Sequence, residues 1–225
     1  MHQDQDPAHP PHWTGSSFFG LYPGLVTDVV DPDRQARVQV SFPWLGDDGS
    51  DVRAWATLLT PYADDDQGFV VLPEVGTQVV VGFEFGDLRR PYVVGSCWNG
   101  KEMMPVTPTR PNDRRVIKTR SGAVLEFDDN ATAPKVTLSS GHGHTIVLDD
   151  GGRSVEVRHR DGSTVTFTAS GQIKLQANAT VEVTASAVNV HAPTAVFDGM
   201  VSCTNLIASV GVVSPSYTPG AGNVW

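Results

Sequence analysis

Residues 125–175 read LEFDDNATAPKVTLSSGHGHTIVLDDGGRSVEVRHRDGSTVTFTASGQIKL. An apolar-x-apolar triplet returns through this stretch and beyond it. It runs Leu125-Glu126-Phe127, Val136-Thr137-Leu138, Ile146-Val147-Leu148, Val155-Glu156-Val157, Val165-Thr166-Phe167 and Ile173-Lys174-Leu175. It continues as Val181-Glu182-Val183, Val188-Asn189-Val190 and Ala195-Val196-Phe197. Period two places the first and third residue of each triplet on one face of a strand. Triplet starts lie 9–11 residues apart at first and 7–8 apart later. The early gaps hold turn formers: Asp129-Asn130, Ser140-Gly141, Asp149-Asp150-Gly151-Gly152, Asp161-Gly162 and Ser170-Gly171. The region from 116 to 225 therefore reads as an array of short strands whose unit shrinks toward the C-terminus.

Each unit offers two or three inward apolar side chains. A single sheet built from them leaves one face wet and too little core to stand alone. The units are also too short for one chain to make a three-sided coil. Three copies, each supplying one strand per rung, would close a triangular prism with a dry axis and no free edge. At ~4.8 Å between strands, such a shaft would be on the order of 50 Å long. Ile173, Leu175, Val181, Val183, Val188 and Val190 share the inward parity and are the expected trimer core. From 171 onward the outward positions are mostly Thr, Ser, Asn, Gln and Ala, with few charges.

Upstream, residues 18–100 are also strand-like. Leu25–Val30 and Ala36–Phe42 flank an Asp31-Pro32-Asp33 turn. Further strands are expected at about 53–60, 78–85 and 92–98, with Pro73-Glu74-Val75-Gly76 and Gly86-Asp87 as turns. Five short strands without helical periodicity fit a small closed barrel such as an OB-fold. Residues 101–115 carry three prolines and four basic residues and read as a linker. Residues 1–17 read as a flexible arm. The expected fold class is thus all-β: an OB-like five-stranded barrel followed by a trimeric, intertwined β-helix, a triangular β-prism.

Composition narrows the function. The net charge is −9, which disfavours a general nucleic-acid binder. Cys97 and Cys203 lie too far apart in sequence for a metal ribbon or disulfide framework. The N-terminal residues lack a signal-peptide pattern, and no run reaches the ~18 apolar residues of a membrane span. Synthesis in the cytoplasm is expected.

Two segments carry a family resemblance: GLYPGLVTDVVDPDRQARVQVSFPWLG (20–46) and LPEVGTQVVVGFEFGDLRRPYVVGSCWNG (72–100). They resemble the OB-like domain of phage baseplate assembly protein V and of contractile injection system spikes. The strand array resembles the triple-stranded β-helix of the same proteins. The resemblance covers about 18–225. It implies a homotrimeric central spike that is driven through a target envelope when a sheath contracts. It further implies a tube or hub partner on the N-terminal side and a PAAR-type protein at the tip, the whole built into a virion or injection particle. Only 17 residues precede the barrel, so a separate hub protein is implied. The 101–115 linker has no room for an inserted lysozyme domain. The C-terminal SYTPGAGNVW lacks the His-x-His of metal-binding phage spike tips.

Candidate sites follow. Tyr217, Val224 and Trp225 are the expected tip and cap contacts, and Asp64, Asp65 and Asp66 a hub-side rim. Gly141-His142-Gly143-His144 holds the one His-x-His and is expected as an outward-facing turn without a metal. His159 shares the parity of Val155 and Val157 and is expected to mark a strand end. The histidines His2, His9 and His12 match no ligand spacing. No nucleophile or phosphate-binding motif is present, so no catalytic residue, cofactor or metal site is assigned. Trp44, Trp55 and Trp98 are expected in packing rather than base stacking. The competing readings are a single-chain β-solenoid that binds carbohydrate or acts as a tail-associated lyase, and an OB-fold single-strand binder.

Overall fold

The computed structural model describes residues 18–46 and 51–214. The expected arm (1–17) and the tip residues Tyr217, Val224 and Trp225 lie outside them.

The N-terminal strands are β1 (Leu21–Asp28), β2 (Arg37–Ser41) and β3 (Arg53–Leu58). A two-stranded hairpin follows, β4 (Ala63–Asp64) and β5 (Gln67–Gly68), then β6 (Gln78–Phe83) and β7 (Pro91–Ser96). The large strands close a barrel in the order β1-β2-β3-β7-β6. All its pairings are antiparallel except β3 with β7, where Thr57 faces Tyr92 and Leu58 faces Val93 in parallel. Alternation in the strands sends Val26, Val38, Val40, Ala56, Val79, Val81, Phe83 and Val93 inward, where Phe42 joins them. Each fully buried valine contributes roughly 1.5 kcal/mol or more relative to an exposed one. At one side of the barrel Tyr22 stacks on Trp44 with ring centroids 4.8 Å apart. Trp44 Nε1 donates to the Pro23 carbonyl at 2.6 Å.

The β1–β2 connection is organised by Asp31. Its carboxylate accepts the N–H groups of Asp33 and Gln35 at 3.0 and 2.7 Å. It also takes a two-pronged guanidinium contact from Arg37 at 3.0 and 2.8 Å. That guanidinium, first, and the backbone donors hold the Asp31 carboxyl well below the usual carboxylate range.

The second strand set begins two residues earlier than expected. Strands β8 (Arg114–Lys118), β9 (Val124–Asp128), β10 (Lys135–Ser139) and β11 (Thr145–Asp149) lead to β12 (Ser154–Arg158), β13 (Thr164–Phe167) and β14 (Ile173–Gln176). They form one antiparallel meander in simple sequence order, with β8 and β14 at its edges. Over this stretch each strand pairs with its own sequence neighbours, where one strand per rung from each of three copies was expected. The turns explain the difference. In the segments starting at Thr119, Ser140, His159 and Thr168, the first N–H donates to the carbonyl four residues on. The fourth residue's N–H returns to the first carbonyl. That fourth residue is Gly122, Gly143, Gly162 or Gly171, each at φ between +76 and +94°. A left-handed glycine closes a three-residue hairpin loop at little steric cost, so the chain turns straight back on itself.

The contact pattern divides the chain at Asn178 into two units. In the second unit no strand forms among the described residues 179–214. After Gly171 the next glycine is Gly199, so the three-residue glycine loop of the meander is not repeated before the triplets at 181 and 188.

Candidate functional site

The meander has one apolar face and one polar face. Register alone builds two apolar rows. One runs Phe127–Val136–Leu148–Val155–Phe167–Ile173 and the other Ile117–Leu125–Leu138–Ile146–Val157–Val165–Leu175. From β9 to β14 every rung pairs like with like, while at the β8 edge Arg115 faces Phe127. In a single chain much of this surface meets solvent: Leu138 is 49%, Phe167 45%, Ile173 68% and Leu175 60% exposed.

On the opposite face the central row is Val116–Glu126–Thr137–Val147–Glu156–Thr166–Lys174. Several charges on this face are paired. Arg114 reaches Glu126 at 2.6 Å and Lys135 reaches Asp149 at 3.4 Å. The Asp149 carboxyl is lowered first by the Gly152 N–H and then by Lys135. Such pairs are worth little singly at a surface, but they mark this face as the wet one. The apolar face has no such partners and must find cover.

Of the expected core residues, Ile173 and Leu175 lie on this face in β14. Val181, Val183, Val188 and Val190 belong to the second unit and are all exposed in the single chain. Asp64 ends β4, and Asp65 and Asp66 form the exposed tip of the β4–β5 hairpin. Trp98 is exposed, and the Arg37 guanidinium stands 5.9 Å from the Trp55 ring centroid.

His142 is in the turn as expected and His159 directly follows β12, but His144 differs from expectation. His144 is not part of an outward turn. Ser140 N–H donates to the His144 carbonyl at 2.9 Å, so His144 is already the first rung of the returning strand. Its parity is that of Ile146, on the apolar face. There its ring meets that of His159, centroid to centroid 4.4 Å. His142 is exposed in the turn itself. The signal was present in the glycine spacing: Gly143, not Gly141, is the left-handed residue. Among the described residues no group of three or more His, Cys, Asp or Glu is arranged to hold a metal ion. No helix among them is long and apolar enough to cross a membrane.

Residues 22–98, which span the closed barrel, match the type VI secretion system/phage-baseplate injector OB domain. The barrel thus resembles the OB domain of the baseplate protein V and spike family, and the matched segment is about a third of this chain. Spike-family relatives extend the match. The type VI secretion system spike protein VgrG5 of Pseudomonas aeruginosa is 30% identical over 100 residues, 44% of this chain and 13% of that protein. The spike protein VgrG3 of Vibrio cholerae is 25% identical over 146 residues, 55% of this chain and 14% of that protein. The actin cross-linking toxin VgrG1 of Vibrio cholerae is 24% identical over 128 residues, 12% of its length. The spike-family match thus spans about an eighth of each of these relatives.

Proposed function

We propose that three copies of this chain assemble into the central puncturing spike of a contractile phage tail or phage-tail-like injection system. The observation that carries this reading is the apolar face of the sheet, continuous from β9 to β14, in one chain with an injector OB barrel. Three such sheets, apolar faces inward, make a triangular prism with a dry axis and wet, ion-paired walls. Beyond Asn178 no strand forms among the described residues of the single chain, so here the copies would interlace. Ile173, Leu175, Val181, Val183, Val188 and Val190 then line the axis.

The role is mechanical and needs no catalytic residue. Sheath contraction supplies the work, and the closed ladder and packed axis supply stiffness. The barrel docks to the tube or hub protein, with Asp64, Asp65 and Asp66 at the rim. The C-terminal end, with Tyr217, Val224 and Trp225, carries a PAAR-type tip protein. The target is a cell envelope.

Light scattering after size-exclusion chromatography tests the assembly. A mass of three times the 24.1 kDa chain is expected. A stable monomer would overturn the spike reading.

A further inference from the structure

The apolar face ends, on the side of the β10–β11 and β12–β13 turns, in two ionisable rings. His144 and His159 extend the column next to Leu138, Ile146 and Val157 and with these residues and Ala123 line one shallow concavity. The rings are tilted by 50° at 4.4 Å. Each Nδ1 is an acceptor. His144 Nδ1 takes the Arg160 N–H at 3.4 Å, and His159 Nδ1 takes the Asp161 N–H at 3.3 Å. A neutral imidazole with Nδ1 as acceptor carries its proton on Nε2. A second proton must go to Nδ1, where it meets a backbone N–H pointing at it. The same tautomer leaves Nε2 without a lone pair for a metal.

The surrounding charges do not neutralise two imidazolium ions. Asp161 Oδ2 is 3.4 Å from His159 Nδ1, and Asp161 also faces Arg160 Nε at 3.5 Å. Arg158 lines the concavity but bonds Glu156 at 2.8 Å. On the β10–β11 side stand the exposed His142 and the Ser140 hydroxyl, which accepts the His144 N–H at 3.1 Å. Among the described residues no carboxylate lies within ion-pair distance of His144. Asp161 therefore faces one ring, that of His159, and is shared with Arg160, while a proton on His144 has no carboxylate partner among the described residues.

We propose that His144 and His159 form a proton-operated latch on the face through which copies of this chain pack, closed when both rings are neutral and opened when both are charged. The inference rests on the assembly reading above. The occupant of the concavity is a second copy, because the concavity is continuous with the Leu138–Ile146–Val157 row that copies would cover. Covering the rings removes water from them, and a desolvated, unpaired imidazolium is strongly disfavoured. Proton binding and packing thus oppose each other.

The test follows the full chain by light scattering in a fixed, moderate guanidinium concentration. Between about pH 7.5 and about pH 5 the half-assembly concentration should rise about tenfold or more, the equivalent of one unit in proton affinity. His144→Gln should remove most of that rise. His159→Gln should remove less, because Asp161 offsets its proton. An equal rise in the native chain and both variants overturns the latch. NMR titration of the native chain is the second measurement: dissociation that is complete while His144 stays neutral also overturns it. A monomer at pH 7.5 overturns the assembly reading and the latch together, whereas an assembly indifferent to pH overturns the latch alone.

Discussion

Among single residues, Asp31 has the widest influence on the barrel. It organises the β1–β2 turn by accepting three backbone N–H groups and the Arg37 guanidinium. Its carboxyl is held below the ordinary value of 3.8, and Asp87, beside Arg89, is lowered from 3.8 to about 2. A carboxyl depressed in the folded state binds fewer protons there than in the unfolded chain. It adds stability above its unfolded pKa and loses that contribution as pH falls through the folded value. The barrel should therefore keep full stability down to about pH 4 and lose it progressively below. Asp31→Asn should lower the thermal midpoint at pH 7 and flatten the acid limb of a melting-temperature profile. An unchanged acid limb would remove Asp31 from its organising role.

Among elements, the repeated glycine turn decides where the chain pairs with itself. Gly171 is the cleanest case: its φ is +76° and an added Cβ would meet nothing within 4 Å. Gly171→Ala should therefore cost about 1 kcal/mol through backbone strain alone. The loss should be local to β13–β14. Hydrogen exchange would show faster exchange at Thr166 and Lys174 while the barrel amides stay protected. Uniform loss of protection across the barrel would contradict a local hairpin. The spacing supports the division into two kinds of strand. The four three-residue hairpins each close on such a glycine, whereas β9 pairs with β10 across residues 129–134, which hold none.

In the whole molecule, apolar surface without cover is the dominant fact. Val183 is 69% exposed in the single chain, and in the proposed assembly three copies of it meet at the axis. Val183→Asp would then bury three like charges, at a cost of several kcal/mol per ion. The assembly should fail, while Asn189→Asp, with outward parity, should assemble normally. An intact assembly with Val183→Asp, judged by its mass, would show that the inward assignment is wrong. A chain of residues 114–225 should assemble but stay out of particles if the barrel is the docking collar. Incorporation at the native level would remove the barrel from that role. A chain stopped after Pro215 should lose capture of the PAAR-type tip protein in a pull-down. Capture equal to that of the full chain would move the tip contact elsewhere.

Much of this was legible in the sequence because it depends on local patterns. Period-two alternation marked the triplets of β9–β14, and turn-forming residues marked their boundaries. The barrel strands were placed to within a few residues for the same reason. The in-chain meander was not foreseen, although its cause, a glycine in the fourth turn position, stands in the sequence. The parallel contact of β3 with β7 closes the barrel between residues far apart in the chain, and no local pattern encodes it. The meeting of His144 with His159 depends on two turns and the register between β11 and β12 together. Short-range patterns report how each segment can bend and which side it must bury. Which segments meet is decided by the summed packing and hydrogen bonding of the closed barrel and the registered sheet, and that sum exists only in the folded chain.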